Sequence, residues 1–347
     1  MLRERGVRFL MNTTVDGLRR SPHGVEAFSG GAALPADHVV LASGAGAARL
    51  LKPIGIRAAI YPIKGYSLTF ELQAQSTAPH VSITDSGRKV VYARLELLAR
   101  NDVDGVVVTH GTDTIEETSY FLHLTLKSAK PVVVVGSMRP PSAMSSDAAL
   151  NLYDALAVAA HPSSRGLGAL VVANSEIHTA RDVVKSNSFK LDAFRSPYGA
   201  LGIVIEGTPR YYRRPARAHT LDTPWSIDTL RTLPKVDIVY AYGALESSAV
   251  AAIAKNARGL VFAGTGNGNV AGHLIGPLRD AARRGVRVVR ASRTGNGVVL
   301  HNAAQPDDEY GWLTVDDQAP LKARLLLTLA LTQTDDTNAL QAVFERY

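Results

Sequence analysis

Residues 105–118 read GVVVTHGTDTIEET, and this stretch decides the fold class. A glycine followed by three valines is typical of a short strand that is buried on both faces of a parallel sheet. The threonines and glutamates that follow are typical of the start of a helix. In open α/β sheets, ligands bind at the loop between such a strand and its helix. The stretch therefore predicts an α/β domain with a candidate site at Thr112 and Asp113.

The chain after residue 95 repeats this alternation. Strands are predicted at 131–135, 170–172, 236–240, 259–262 and 286–290, and helices at 114–127, 146–160, 247–255, 274–284 and from Leu321 onward. The polar stretch 207–234, which contains several arginines and prolines, interrupts the pattern and predicts a linker. We therefore predict a larger α/β domain over residues 96–206 and a smaller one over residues 235–347.

The first 95 residues have a different character. Short β-rich runs at 7–10, 24–28 and 38–42 are separated by turn signals, which indicates part of a sheet. The basic excess of the chain also lies here, because residues 1–94 carry 12 Lys and Arg against 6 Asp and Glu, whereas residues 95–347 carry 26 against 25. These basic residues are scattered among few aromatic residues, so the segment does not favour nucleic-acid binding.

Composition also bears on metal sites and membranes. The 347 residues include no cysteine, so the chain forms neither disulfides nor thiolate metal sites. No apolar run approaches the roughly 18 residues of a membrane-spanning helix, and the first residues lack the apolar core of a signal peptide. We therefore expect a cytoplasmic protein that does not bind a membrane.

The stretch 109–118 resembles a signature of the bacterial L-asparaginase and glutaminase-asparaginase family, and the resemblance continues in the same order along the chain. The further segments that carry it are 130–140, 146–147, 151–152, 177–185, 264–269, 290–293 and 322–326. Because these segments are collinear, the resemblance implies the asparaginase-type two-domain α/β fold for residues 96–347.

Within this resemblance, Thr112, Asp113 and Lys185 match a catalytic threonine, aspartate and lysine, in which the lysine helps to activate a hydroxyl group or water. Gly111, Thr112 and Asp113 match substrate-binding positions, and Asp113 is expected to bind the α-amino group of the substrate. Asn269 matches a substrate-binding position that reaches the site of a neighbouring subunit. The resemblance therefore implies a small amino-acid amide as substrate, a homo-oligomer (a dimer or tetramer), and no cofactor or metal.

The same residues also have plainer interpretations. Thr112 or Asp113, taken alone, would be expected to cap the helix that follows. Lys185 would be expected to be a solvated lysine beside a salt bridge. Asn269 would be expected to serve as a turn residue, because asparagine tolerates left-handed backbone geometry. Only the collinear segments favour a catalytic role.

The first part of the chain departs from the family. Family members begin with a strand that ends in a threonine-glycine-glycine-threonine loop, whose first threonine is the primary nucleophile, and this motif is absent here. Residues 6–95 instead resemble an internal fragment of the flavin-dependent D-amino acid dehydrogenases, notably at 40–44 and 61–67. We place the junction of this fusion near Leu95 and expect a truncated parallel sheet in the larger domain, preceded by a β-rich fragment.

The sequence supports three functional hypotheses. The first is an L-asparaginase-type amidohydrolase, which converts asparagine or glutamine to the acid and ammonia, with activity impaired by the missing nucleophile. The second is a catalytically inactive, asparaginase-like protein that binds an amino acid or associates with complete relatives. The third is an FAD-dependent D-amino acid oxidoreductase, which is disfavoured because no dinucleotide-binding glycine fingerprint precedes the flavoenzyme-like fragment.

Overall fold

The computed structural model of the chain describes residues 13–21, 24–34, 50–55, 83–85, 90–92 and 98–347. The chain divides into two compact units, Met1–Phe70 and Glu71–Tyr347. The predicted strands and the flavoenzyme-like segments at 7–10, 38–42, 40–44 and 61–67, and the junction at Leu95, lie outside the described residues. These assignments therefore stay predictions.

The described part of the first unit is a small antiparallel sheet. Its strands are β1 (Gly17–Ser21), β2 (Gly24–Ser29) and β3 (Ala32–Leu34), in the order β1-β2-β3. The strand predicted at 24–28 lies within β2. The apolar core beneath this sheet consists of Leu18, Ala27, Leu50 and Ile54. Arg20 Nε donates to the Ile54 carbonyl oxygen at 2.8 Å and so ties the short 3-10 helix Lys52–Ile54 to β1.

The second unit contains a larger sheet whose first half is parallel. Before this sheet, β4 (Ile83–Asp85) and β5 (Val90–Tyr92) form a separate antiparallel pair. The following elements are β6 (Val106–Thr109), α1 (Ile115–Thr125), β7 (Val132–Val135), α2 (Ala148–Ala160) and β8 (Ala169–Ala173). Strands β6, β7 and β8 are parallel, as their valine-rich sequences predict. β7 and β8 are buried along their whole length because α1 packs on one face of the sheet and α2 on the other.

The second half of this sheet is antiparallel, which the sequence analysis did not predict. The elements are β9 (Glu176–Thr179), a hairpin of β10 (Val184–Lys185) and β11 (Phe194–Arg195), then β12 (Gly202–Ile205) and β13 (Thr208–Tyr211). The chain reverses after β8 through Asn174 and Ser175, whose φ angles of 51° and 60° are those of a tight hairpin turn. The sheet order is β13-β12-β9-β8-β7-β6, so the sheet is mixed. Among the described residues, β6 pairs with β7 alone.

A second, four-stranded sheet is parallel throughout. Its elements are β14 (Val236–Tyr240), α3 (Ser247–Ala254), β15 (Gly259–Gly264), α4 (Gly272–Arg283), β16 (Arg287–Ser292), α5 (Asp307–Tyr310), β17 (Leu313–Thr314), α6 (Pro320–Ala330) and α7 (Thr337–Arg346). The strands pair in the order β14-β15-β16-β17. Together the two sheets confirm the predicted two-domain α/β fold class.

The segment 207–234, which was predicted as a linker, has structure of its own. It begins with β13, which pairs with β12. Trp225 is buried, and its ring lies 5.0 Å from the ring of Tyr347. Lys127 Nζ donates to Thr223 Oγ1 at 2.9 Å and so fastens the segment to the end of α1. These contacts could not be predicted from the polar composition of the segment, because they involve only a few of its residues.

One apolar core connects α1 with the second sheet. Tyr120 and Leu124 of α1 belong to the same buried cluster as Leu326 and Leu327 of α6. Because α1 follows the loop that carries Thr112, the C-terminal helices lie near the candidate site. Within the described ranges, no helix combines the length and apolar character needed to cross a membrane.

Candidate active site

The candidate site is built on the loop between β6 and α1. The backbone N–H of His110 donates to the Val135 carbonyl oxygen at 2.8 Å, which extends the pairing of β6 with β7 by one residue. A β-carbon on Gly136 would lie 2.7 Å from the His110 carbonyl oxygen and 3.1 Å from Thr112 Cγ2. Glycine therefore allows the backbone after β7 to support the loop directly.

Lys185 contacts the two polar residues of this loop that the sequence analysis singled out. Its Nζ donates to Thr112 Oγ1 at 2.8 Å and to Asp113 Oδ1 at 2.6 Å. The residue at the N-cap of α1 is Thr114, and no side-chain hydrogen bond caps this helix. The N-cap position of α1 is therefore occupied by neither Thr112 nor Asp113.

The two charged side chains of this cluster differ in exposure. The Lys185 side chain is 15% exposed and that of Asp113 is 78% exposed. Lys185 is therefore not a solvated surface lysine, and its charge acts on Thr112 in a poorly hydrated position, where electrostatic interactions are stronger than in water. The Asp113 carboxylate, in contrast, is accessible to a cationic group that arrives from solution.

His110 and Thr118 hold the backbone of the loop against the first turns of α1. The Nε2 atom of His110 lies 2.9 Å from Thr118 Oγ1, and its Nδ1 atom lies 2.7 Å from the Gly111 carbonyl oxygen. Gly111 is exposed, and a β-carbon built there would meet no atom of the described residues within 4 Å. Gly111 thus presents open backbone next to Thr112.

Asp147 and Asn151 support the chain that follows β7. Asp147 accepts hydrogen bonds from the backbone N–H groups of Met138 and Arg139, both at 2.9 Å. Asn151 Nδ2 donates to the Gly136 carbonyl oxygen at 3.0 Å and to Asp147 at 2.9 Å. The segments 146–147 and 151–152, which carried part of the family resemblance, therefore hold the backbone on which the Thr112 loop rests.

The segment that delivers Lys185 is held by residues of the C-terminal domain, on α6 and just before it. Lys322 Nζ donates to the Ala180 carbonyl oxygen. Arg181 forms two hydrogen bonds to Asp317, at 2.7 and 3.2 Å. Burial alone would raise the pKa of Asp317, but the hydrogen bonds and the charge of Arg181 outweigh it and hold the pKa below its usual range. The C-terminal domain thus takes part in placing the lysine of the site.

Asn269 lies elsewhere, on the glycine-rich turn that follows β15. Arg290 is fully buried beneath this turn, where it donates to the Gly268 carbonyl oxygen at 3.0 Å and forms two hydrogen bonds of 2.6 Å to Asp307. Asn269 itself is exposed, and its backbone N–H donates to Thr265 at 2.8 Å. Within the described residues, it does not belong to the hydrogen-bonded cluster around Lys185.

Glu116 and Lys322 contact the Lys185 segment but were not predicted as site residues. Glu116 Oε1 accepts a hydrogen bond from the backbone N–H of Lys185 at 2.7 Å. No sequence signal reveals this contact, because the two residues lie 69 positions apart. Lys322 does have a signal, since its spacing from Leu326 and Ala330 places it on the apolar face of a helix.

Comparison with known proteins relates both domains to one family. A family model described as "Asparaginase, N-terminal" matches residues 45–217, and one described as "Glutaminase/Asparaginase C-terminal domain" matches residues 235–344. A glutaminase-asparaginase of Pseudomonas fluorescens biotype A is 46% identical over 79% of this chain and 75% of its own length. L-asparaginase 2 of Bacillus subtilis is 48% identical over 72% of this chain and 67% of its own. L-asparaginase 2 of Escherichia coli is 46% identical over 70% and 71%, respectively.

The N-terminal match begins well before the junction that was placed near Leu95. It overlaps the fragment compared with flavin-dependent dehydrogenases over residues 45–95. Only 50–55, 83–85 and 90–92 of this overlap are among the described residues. The flavoenzyme-like origin of the first segment therefore stays a prediction.

Proposed function

The chain belongs to the asparaginase family, and we propose that it hydrolyses the side-chain amide of asparagine or glutamine. In this reaction the amide and water give a carboxylate and ammonia. The observation that carries the proposal is the contact of the Lys185 amine with Thr112 Oγ1 and Asp113 Oδ1 in a mostly buried position. The names of relatives that are 45–48% identical, glutaminase-asparaginase and L-asparaginase, support the same chemistry.

Each residue of the cluster has a distinct role in the proposed reaction. The exposed carboxylate of Asp113 binds the α-amino group of the substrate through charge-assisted hydrogen bonds. When water attacks the amide carbon, Thr112 and Lys185 pass on the proton that it loses. When the Thr112 hydroxyl group attacks, Lys185 passes on its proton, and water then hydrolyses the ester formed on Thr112. The departing nitrogen takes up a proton and leaves as ammonia.

We also propose that turnover is slower than in relatives that carry the threonine-glycine-glycine-threonine motif. The sequence contains no such motif. A water molecule or Thr112 must then replace a dedicated nucleophile, and poorer alignment with the amide carbon slows the attack.

The test is ammonia release from L-asparagine and L-glutamine by the purified protein. We expect Thr112→Ala to abolish release, because it removes the hydroxyl group that Lys185 contacts. Thr112→Ser should retain a large part of the activity. Thr114→Ala is the matched control, since Thr114 is the neighbouring threonine at the start of α1 and makes no side-chain cap bond. Equal release by wild type and Thr112→Ala would contradict the assignment.

The missing motif also favours a second candidate, an inactive protein that binds the amino acid without hydrolysing it. In this candidate, Asp113 still binds the α-amino group of the amino acid, but Lys185 transfers no proton. Calorimetric titration with L-aspartate, together with the ammonia assay, separates the two. Binding that is lost in Asp113→Asn, without ammonia release by the folded wild type, would favour the second candidate.

We propose that the active form is a homo-oligomer, a dimer or a tetramer, in which Asn269 of one copy reaches the site of another. The exposure of Asn269 on its turn agrees with such a role. A mixture of Lys185→Met and Asn269→Ala proteins tests this, because each hybrid then contains one site with both native residues. Recovery of activity on mixing is expected, and its absence from a verified hybrid would contradict the shared site.

A further inference from the structure

The backbone of Lys185 is anchored on one side by a hairpin and on the other by a carboxylate. In the hairpin of β10 and β11, Lys185 is paired with Phe194, and the next residue, Ser186, donates its N–H to the Ala193 carbonyl oxygen at 2.7 Å. The N–H of Lys185 points the other way and donates to Glu116 Oε1 at 2.7 Å. One hydrogen bond to a side chain therefore joins the backbone of Lys185 to α1.

Glu116 is unusual for a residue at the start of a helix because it is buried. It is 6% exposed, and its Oε2 atom has no hydrogen-bond partner among the described residues. A buried carboxylate is costly unless it is paired or hydrogen-bonded. Lys322, which is 1% exposed, supplies a nearby opposite charge. Burial lowers the pKa of Lys322 to about 8, and the negative charges of Glu116 and Asp182 act against that decrease.

Both helices that supply these charges are packed together. Tyr120, one turn after Glu116 on α1, lies with its ring centroid 5.3 Å from Lys322 Nζ on α6. Lys322 also holds the Ala180 carbonyl oxygen, five residues before Lys185. The buried pair of charges is thus connected to both ends of the segment that delivers the catalytic amine.

We propose that Glu116 is a positioning residue for Lys185, whose Oε1 atom fixes the Lys185 backbone so that Nζ reaches Thr112 and Asp113. The geometry distinguishes this role from a general effect on the helix. A carboxylate in the first turn stabilises any helix through its dipole, whether or not it touches the site. The contact with the Lys185 N–H is specific to Glu116.

Glu117 is the matched control for the helix effect. It lies in the same first turn of α1 with the same charge, and its side chain is 25% exposed. Its carboxylate lies 3.7 Å from Arg324 Nη2, on α6. A Glu117→Leu variant therefore removes the same dipole interaction without removing the hydrogen bond to Lys185.

The kinetic test compares four proteins, and it rests on the proposed amide hydrolysis. We expect Glu116→Leu to lower kcat for L-asparagine by about 10- to 100-fold with KM changed by less than about threefold, because displacement of a catalytic group by about 1 Å has an effect of this size. Glu116→Gln should keep kcat within about threefold of wild type, since the amide oxygen still accepts the Lys185 N–H. Glu117→Leu should also stay within about threefold.

Thermal unfolding separates positioning from stability. Glu116→Gln removes one of the negative charges near the buried Lys322, so the melting temperature of this variant should fall while kcat is kept. A merely structural role predicts instead that kcat follows the melting temperature in all variants. Equal losses of kcat in Glu116→Leu and Glu117→Leu, or a loss in Glu116→Gln as large as in Glu116→Leu, would overturn the proposal.

Amide hydrogen exchange tests the positioning without any turnover. In Glu116→Leu the Lys185 amide should exchange at least about tenfold faster than in wild type, because its hydrogen-bond acceptor is gone. The Ser186 amide, which is bonded to Ala193, should keep its protection. Unchanged protection of Lys185 would refute the positioning role. If the wild type releases no ammonia, but Glu116→Leu differs from it in exchange as described, only the proposed function is refuted.

Discussion

At the scale of single residues, the candidate site depends on the unequal surroundings of two opposite charges. The amine of Lys185 is mostly buried, whereas the carboxylate of Asp113 is mostly exposed. The lysine is therefore held in one place by its hydrogen bonds to Thr112 and Asp113, and the aspartate remains accessible to a ligand. A fixed proton carrier beside an accessible carboxylate suits the hydrolysis of a substrate that has both an amide and an ammonium group.

Replacement of Lys185 tests whether a movable proton, and not only a positive charge, is required. We expect Lys185→Met and Lys185→Arg both to lower kcat for L-asparagine by at least about 100-fold, because an arginine keeps its charge but cannot give up a proton near neutral pH. Steady-state kinetics measure the effect. Lys190→Met is the control, since Lys190 is exposed on the same hairpin loop. Full activity of Lys185→Arg would refute proton transfer by this residue.

The residue scale also shows what the sequence could and could not reveal. Thr112, Asp113 and Lys185 were identified through the family resemblance, and the structure brings these three side chains together. Taken alone, each residue had a plainer interpretation, because a threonine or an aspartate before a helix is commonly a cap. The contact of Glu116 with Lys185 could not be predicted, since it depends on how a turn between β9 and β10 meets α1.

At the scale of elements, the site depends on the close approach of two loops at the ends of β6 and β7. The loop after β7 carries Gly136, and the loop after β6 carries Thr112. The two backbones meet because Gly136 has no side chain. The glycine therefore contributes to the shape of the site, although it makes no contact with a substrate.

Gly136→Ala tests this contact between the loops. The new methyl group would lie 2.7 Å from the His110 carbonyl oxygen, so the Thr112 loop must move. We expect kcat to fall at least about tenfold and the free energy of unfolding to fall by about 1–3 kcal/mol. Kinetics and urea denaturation measure the two effects. Gly276→Ala on α4 is the control, because a β-carbon there meets nothing within 4 Å in the part of the chain that the structure describes. Normal kcat in a folded Gly136→Ala protein would show that the loops do not depend on this contact.

The glycine-rich turn after β15 depends in a similar way on one buried ion pair. Arg290 and Asp307 are fully buried and joined by two hydrogen bonds of 2.6 Å. We expect Arg290→Met to lower the free energy of unfolding by about 3–5 kcal/mol, because it leaves the Asp307 carboxylate buried without its partner. Arg283→Met breaks an exposed ion pair with Asp280 and should change it by less than about 1 kcal/mol. Similar losses in the two variants, measured by urea denaturation, would contradict this explanation.

The sequence predicted the helices and the parallel strands better than the antiparallel strands. The helix predicted at 146–160 is observed at Ala148–Ala160, and the strand predicted at 236–240 is observed at Val236–Tyr240. These elements have long apolar patterns that fix their period. β9, β12 and β13 were missed because their antiparallel pairing depends on turns such as Asn174-Ser175.

At the scale of the whole Glu71–Tyr347 unit, the buried ionisable groups connect the site with the fold. Three of these groups lie between the six-stranded sheet and the C-terminal helices, and all three are nearly buried: Arg181, Asp317 and Lys322. Hydropathy patterns could not predict their partners, because a charged residue in a sequence normally indicates exposed surface. Their contacts depend on the packing of α1 against α6, which no local pattern encodes.

Buried histidines give the same unit a dependence of its stability on pH. His178 of β9 is 1% exposed, and burial lowers its pKa to about 4 from an ordinary value near 6.5. Burial also lowers the pKa of His123 and of His219, whose rings lie 4.8 Å apart. Between the folded and the unfolded pKa, the unfolded chain binds a proton that the folded chain does not. The free energy of unfolding must therefore decrease as the pH falls below about 6.5.

A His178→Gln variant isolates the contribution of one histidine to this decrease. With a pKa of about 4 in the folded state, His178 should account for a loss of about 2 kcal/mol in the free energy of unfolding between pH 7 and pH 5. Glutamine cannot titrate in this range, and it can still bond to Ser196, which lies 3.0 Å from His178 Nδ1. Urea denaturation of wild type and variant at both pH values should therefore show a decrease that is smaller by about 2 kcal/mol in the variant. If both proteins lose the same stability, His178 must already be protonated in the folded state at pH 5, and its Nε2 atom would then be paired with the Glu176 carboxylate, which lies 3.3 Å away.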